Sequence, residues 1–257
     1  VSEVLISPVA HRIIQKERER FPDIELPLEE SMFDKYENYS KRVCKASDYF
    51  IAPSEFVMSG LKELNVDSRR CYQIPYAVDE SWLETENYPI KGRVLFVGTA
   101  GLRKGIHILG QAAENLVSRN YEFRVAGGAS SAVQNHPMMS KLSFIGRVPR
   151  TQIKNEYTEA DIFELPSLAE GSAEVIYEAL SVGLPVITTK SAGSIVKDRI
   201  NGLIVKEGDS EELASSIERL IEDRALRNRI SKNAKKIAYE HTWGKYAHNL
   251  VNILKKL

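Results

Sequence analysis

Two stretches of this chain combine residue types that can do chemistry. The first is Gly98-Thr99-Ala100-Gly101-Leu102-Arg103-Lys104-Gly105. Its glycines let a backbone come close to a ligand, and a helix start beyond it would favour a phosphate. Arg103 and Lys104 add two full positive charges there. The segment is neither a Walker A loop nor a G-x-G-x-x-G fingerprint. The competing reading is a glycine turn with solvated cations. The second stretch is Pro166-Ser167-Leu168-Ala169-Glu170-Gly171-Ser172-Ala173-Glu174-Val175-Ile176-Tyr177-Glu178. Ser172 is placed to cap a helix and leave first-turn N–H groups open to an anion. Glu170 in the loop and Glu178 two turns into that helix could accept hydrogen bonds from sugar or ribose hydroxyls, as the ribose-binding acid of dinucleotide folds does. Glu174, between them, reads better as a solvated helix residue.

These stretches must be held by a scaffold, and the sequence supplies one. From Arg93 onward, short apolar runs alternate with helical periodicity. Strands are expected at Arg93–Val97, Phe123–Ala126, Leu142–Ile145, Ile162–Leu165, Val186–Thr189 and Leu203–Val205. Helices are expected at Lys104–Ser118, Thr151–Tyr157, Ala173–Val182, Ser210–Glu222, Ala225–Tyr239 and Trp243–Lys256. Continuous apolar strands alternating with helices predict an α/β fold, a Rossmann-like parallel sheet covered on both faces. Such a sheet binds ligands beyond the carboxyl ends of its strands. The turns after Val97, Ala126, Leu165 and Thr189 all consist of small or polar residues, and both chemical stretches are among them. Upstream, helices are expected at Val9–Arg20, Leu28–Ala46 and from the Ser54 N-cap to Leu64. Two short strands, Tyr49–Ala52 and Cys71–Ile74, lie among these, and Ser81–Lys91 reads as a linker.

Composition bounds the function. The chain has 257 residues, 43% hydrophobic and 27% charged, as soluble globular proteins do. No apolar run approaches the ~18 residues of a membrane span. Val1–Ile14 lacks the order of a signal peptide, so a cytoplasmic protein is expected, with the inner membrane face as a peripheral location. Cys44 and Cys71 fit neither a disulfide framework nor a metal motif, and the sequon at Asn38 has little weight without a secretory signal. Residues 1–86 hold 11 Lys/Arg against 17 Asp/Glu, a balance of −6, and the remaining 24 against 18 give +6. The positive part suits an anionic small ligand, and no basic stripe suggests nucleic acid.

Glu170 through Pro185, E-G-S-A-E-V-I-Y-E-A-L-S-V-G-L-P, resembles the Glu-x7-Glu signature of the retaining GT-B glycosyltransferases that include sucrose synthase and bacterial mannosyltransferases. Glu170, Glu178, Gly183, Pro185 and Val186 are in register with it. Ala192-Gly193-Ser194 resembles the glycine turn that follows, and Val97–Gly105 the family's phosphate loop. Ile74-Pro75-Tyr76-Ala77-Val78-Asp79 resembles its interdomain segment. Ala46-Ser47-Asp48 and Ala52-Pro53-Ser54 resemble the end of its acceptor domain.

The resemblance implies a division into residues 1–86, a truncated remnant of the acceptor domain; 87–240, the donor-binding C-terminal domain of a GT-B fold; and 241–257, a crossover helix. It implies a nucleoside-diphosphate sugar as donor and retaining transfer of a hexosyl group to a saccharide or lipid-linked acceptor, with the departing phosphate helping to deprotonate the acceptor. It implies no metal or other cofactor, because Lys and Arg take the charge. Lys104 would bind the diphosphate with Gly98, Thr99 and Arg103 around it. Glu178 would hold the ribose. Glu170 would contact the transferred sugar, with Lys104 the second catalytic residue, and the N–H groups of Ser172 and Ala173 would help grip sugar or phosphate, with Gly171 beside them in the donor site. His11 resembles a cleft histidine of some relatives; a helix-packing histidine is the other reading.

Two departures stand out. Thr99 occupies a position where the family usually has Arg, and Glu170-Gly171-Ser172-Ala173 replaces the more usual Glu-Gly-Phe-Gly. A front part of about 85 residues is short for an acceptor domain, usually ~170 residues or more. It predicts poor transfer by this chain alone and self-association through an exposed two-stranded edge. The alternative is a non-catalytic nucleotide-sugar-binding module. An epimerase of the same fold would need further acids and histidines in the cleft, and a dehydrogenase would need the missing dinucleotide fingerprint.

Overall fold

The structure is a computed structural model that describes residues 8–257. The chain begins with helices α1 (Pro8–Arg20) and α2 (Glu30–Ala46), strand β1 (Phe50–Ala52), helix α3 (Glu55–Glu63) and strand β2 (Cys71–Gln73). Ser54 caps α3, its hydroxyl accepting the Val57 N–H at 3.3 Å. β1 and β2 pair in parallel as a two-stranded sheet. The rest contains β3 (Arg93–Val97), α4 (Ile106–Asn115), β4 (Glu122–Ala126), α5 (Ser131–Asn135), β5 (Leu142–Gly146), α6 (Ile153–Glu159), β6 (Ile162–Leu165), α7 (Glu174–Ser181), β7 (Val186–Thr188), β8 (Gly202–Ile204), α8 (Ser210–Glu222), α9 (Arg224–Tyr239) and α10 (Trp243–Leu254).

β3 to β8 form a six-stranded parallel sheet in the order β5-β4-β3-β6-β7-β8. The chain winds outward from β3 in one direction and then from β6 in the other, so the switch point lies between β3 and β6. Every residue of β6 and β7 is buried, as is Val94–Val97 of β3. Strands buried on both sides need helices on both faces, which is why they read as unbroken apolar runs.

The region before β3 is built into this body. Ile24, Val78, Trp82 and Leu83 belong to the main core. A small second core gathers Cys44, Phe50, Ala52, Val57, Leu61 and Val66 around β1 and β2. A third joins Ala10 and Ile14 of α1 to Ala169 of the loop after β6.

Two sequence expectations need correction. Ser81–Lys91, read as a linker, is docked along the sheet body. Trp82 is buried, Tyr88 and Ile90 donate backbone N–H groups to Thr158 and Glu159, and the Asn87 amide reaches the carbonyls of Thr158 at 2.9 Å and Ala160 at 3.1 Å. Its lack of periodicity hid contacts made to a distant part of the chain. The helix expected from Lys104 instead starts at Ile106. Leu102–Lys104 is a 3-10 turn, and Gly105 breaks it in the left-handed region at φ 73°, pressed so close to the Pro166 carbonyl that a Cβ would sit 2.1 Å from its oxygen.

A candidate nucleotide-sugar cleft

The loops leaving β3 and β4 meet at the switch point. Gly127 has φ +144°, and a Cβ there would lie 2.0 Å from the Gly98 carbonyl oxygen. Only glycine allows two loops this close approach, and the loops are tied by Ala100 N–H to Gly128 O at 2.8 Å. Beside them opens a cavity of about 390 Å³ lined by Gly98, Thr99, Gly127, Gly128, Arg147, Val148, Arg150, Ile153, Val175 and Glu178. A second cavity, about 320 Å³, lies across Thr99 and is lined by His11, Arg18, Glu25, Tyr36, Gly101, Arg103 and Lys104. Thr99 borders both.

Glu178 points into the first cavity from α7 and is only 5% exposed. The Tyr157 hydroxyl donates to its Oε2 at 2.8 Å, and the Arg150 guanidinium pairs with its Oε1. Burial pushes the Glu178 carboxyl above its ordinary range, Tyr157 and Arg150 pull it back, and the charge of Glu174 adds to the rise. Tyr157 is fully buried beside this carboxylate and so stays a neutral donor.

Lys104 and Arg103 converge on Glu170. Lys104 Nζ lies 3.2 Å from Glu170 Oε2, and Arg103 pairs with the same oxygen and reaches the Ala169 carbonyl at 3.3 Å. The Lys104 side chain runs over Gly98, 3.1 Å from where a Cβ would stand. Burial draws its ammonium below the usual lysine value, Arg103 adds to that, and Glu170 opposes it. The Glu170 loop itself is braced by the turn after β7: Glu170 N–H donates to Ser191 O at 2.8 Å, and Gly193 sits against Gly171, with room for no Cβ beside the Gly171 carbonyl.

Two assignments in this loop change. Ser172 does not cap α7; Ala173 holds the cap position without a side-chain bond, and the Ser172 hydroxyl lies 3.2 Å from that of Tyr177. The Ala173 N–H donates to Ala192 O at 3.3 Å, so it is engaged inside the protein rather than open to a ligand. Glu174 is solvent-exposed, as its helical setting suggested.

The structure also adds residues that no local sequence pattern singles out. Glu25, in the turn after α1, accepts the Leu102 N–H at 2.7 Å and is held by Arg18 at 3.2 Å. Arg147 and Arg150 line the first cavity. Glu25 is 77 positions from Leu102 and Arg150 is 28 from Glu178, and no local pattern links such pairs. His11 stacks on Tyr36 with ring centroids 4.3 Å apart and faces the second cavity; burial and Arg18 lower its proton affinity. Among the described residues no cluster of three or more His, Cys, Asp or Glu side chains is placed to hold a metal ion. None of the helices described is long and apolar enough to cross a membrane.

Comparison with known proteins places this cleft in context. Residues 84–237 match the family of glycosyl transferases, group 1. The chain is 30% identical over 172 residues to an uncharacterised glycosyltransferase of Methanocaldococcus jannaschii, covering 63% of this chain and 44% of that protein. It is 30% identical over 173 residues to the capsular polysaccharide biosynthesis glycosyltransferase CapM of Staphylococcus aureus, covering 63% and 46%. The chain thus spans about half the length of the curated relatives it matches. Anabaena HepE, solved in complex with UDP and glucose, superposes with a TM-score of 0.74 at 20% identity over 87% of this chain and 67% of that one. The C-terminal domain of a group 1 family protein from Francisella tularensis gives a TM-score of 0.52 at 22% identity, covering 64% and 93%. At these identities the structural likeness is one of fold, the α/β architecture of GT-B glycosyltransferases.

Proposed function

The chain belongs to the group 1 glycosyl transferases, and on that premise we propose that its switch-point cleft binds a nucleoside-diphosphate sugar for retaining transfer of a hexosyl group. The observation that carries this reading is the two-sided arrangement about Thr99. A cavity holding the buried acid Glu178 lies on one side, and the cations Lys104 and Arg103 lie on the other, gathered on Glu170. A ribose belongs beside Glu178, whose carboxylate oxygens retain lone pairs for a vicinal diol. A diphosphate belongs beside Lys104 and Arg103, at the glycine loop. Its arrival exchanges one anionic partner for another: the phosphates take the two cations, and Glu170 is released to accept hydroxyls of the transferred sugar. We take the nucleotide to be UDP, because HepE is solved with UDP and glucose.

In this reading Lys104 and Arg103 offset the charge that grows on the departing diphosphate, work done by positioned cations in a site shielded from water. The leaving phosphate oxygen takes the proton of the acceptor hydroxyl as the new bond forms on the same face of the sugar. The second cavity, with His11 and Glu25, is the place where an acceptor approaches Lys104.

Calorimetry with UDP and with uridine tests the assignment. Lys104→Ala removes a charge-assisted contact and is expected to cost about 1.5–3 kcal/mol of UDP affinity, leaving uridine unchanged. Equal losses for the two ligands, or none, would remove Lys104 from the phosphate site.

A further inference from the structure

The nucleoside side of the cleft contains a cation with no part in the scheme above. Arg150 lies in the loop between β5 and α6, with 70% of its side chain exposed, yet it turns back to pair with Glu178, whose side chain is 6% exposed. Its guanidinium lies 5.3 Å from the Trp82 ring centroid, and Lys154 Nζ approaches the same ring at 5.1 Å. Trp82 also meets the Tyr157 ring edge-on at 5.3 Å, and Tyr157 is the other donor to Glu178. Each carboxylate oxygen therefore has one internal donor, and both donors rest on a single indole. That indole belongs to the segment just ahead of β3, which Asn87 anchors to the body of the sheet.

An exposed arginine gains little from pairing with an exposed acid, because water competes and rotamer freedom is lost. Here the acid is buried, so the pair replaces hydration that Glu178 has given up. The groups facing Glu178 are few. Tyr157 on α6 donates, Arg150 ahead of α6 pairs, Glu174 one turn earlier on α7 repels, and Arg147 lines the same cavity. With one donor on each oxygen, the carboxylate keeps about two lone-pair sites for a ligand.

We propose that Arg150 is a positioning residue for ribose recognition: with Tyr157, and braced by Trp82, it keeps Glu178 ionised and oriented toward the cleft. The proposal rests on the reading of Glu178 as the ribose contact. Without Arg150 the buried carboxyl holds its proton to higher pH. The protonated acid offers a donor where the diol needs an acceptor, so nucleoside binding weakens as pH falls through that range.

Carboxyl-carbon NMR titration of the ligand-free protein reads the first half, with Glu178→Gln to assign the signal. Glu178 in Arg150→Ala is expected to titrate at least about one pH unit higher than in the wild type, the effect of removing an adjacent opposite charge, and Arg150→Lys to recover most of the difference. Calorimetry with uridine and UDP at pH 6 and pH 8.5 reads the second half. Arg150→Ala is expected to weaken both ligands by the same factor at pH 6, by up to about tenfold, the limit that a one-unit rise in proton affinity sets, and clearly less at pH 8.5. An unchanged Glu178 titration overturns the counter-ion role. A loss confined to UDP and equal at both pH values makes Arg150 a phosphate ligand instead. If wild-type protein binds neither uridine nor UDP, the ribose reading of Glu178 fails, whereas the titration still reports on the pair.

Discussion

A carboxylate buried as deeply as Glu178 loses most of its hydration, and Tyr157 and Arg150 stand in for only part of it. Its raised proton affinity records the remaining deficit. Such a group is kept against stability, a usual feature of residues that bind ligands. Glu178→Gln removes the ionised form without changing size, and the Arg150 it leaves behind is free to turn into solvent. The variant is expected to unfold at the same temperature as the wild type or higher at pH 7.5, while losing about 1.5–3 kcal/mol of uridine affinity. Thermal melts with and without ligand would separate the two effects. A lower melting temperature together with unchanged affinity would make Glu178 a structural acid. The sequence indicated this residue by its place eight positions after Glu170, but not its partners. Arg150 and Tyr157 reach Glu178 only because β5, α6 and α7 fold around one cleft, and no spacing rule encodes that.

The central strand β6 contains an acid of a different kind. Glu164 is fully buried, and neither carboxylate oxygen has a hydrogen-bond partner. Burial alone drives its proton affinity well up, so in the folded chain it keeps its proton to a higher pH than an ordinary carboxyl does. The unfolded chain gives up that proton near the ordinary value of 4.5. Stability therefore falls as pH rises from there toward the folded-state value, because the folded state binds the extra proton. Glu164→Met keeps the volume and removes the polar group. Its gain, about 1–3 kcal/mol, is expected to be larger at pH 7.5 than at pH 4.5 in urea unfolding, and a gain equal at both would contradict the raised proton affinity of Glu164. At this scale the sequence was legible where physics is local. The expected ends of Arg93–Val97, Ile162–Leu165 and Ser210–Glu222 coincide with those of the structure, because apolar runs and helical periodicity mark them. It was illegible where the partner is remote. Lys104 was read into a helix because nothing local reports that Pro166 presses on Gly105, and Ser172 was read as a cap because its tie to Tyr177 depends on the tight bend of the loop before α7.

Across the whole molecule, the region before β3 bears directly on the cleft at the switch point. Glu17 of α1 meets His107 of α4 at 3.0 Å with both residues buried, Glu25 holds the Leu102 N–H, and Val78 bridges to Thr242 at the start of α10. The most telling contact is Ser54. Its hydroxyl accepts from Val57 N–H to cap α3 and donates to the carbonyl of Gly171, the residue after Glu170. Gly193 closes the same junction, since a Cβ there would lie 2.4 Å from the Gly171 oxygen and 2.8 Å from Ser54 Oγ. One buried hydroxyl thus couples the front part of the chain to the Glu170 loop, the one proposed to hold the sugar. Ser54→Ala removes the cap, at about 1 kcal/mol, and leaves a buried carbonyl without its donor, at about 1–3 kcal/mol. For a chain of this size each kcal/mol corresponds to roughly 2–4 °C in melting temperature. The loss should extend to function in a particular way. Glu170 follows the loop, whereas Glu178 is anchored in α7 and Lys104 in the turn before α4. The advantage of UDP-glucose over UDP in calorimetry is therefore expected to shrink in Ser54→Ala, with uridine affinity unchanged. An unchanged ratio in a destabilised variant would confine Ser54 to holding the chain together, and an unchanged melting temperature would show that the Gly171 carbonyl finds another donor.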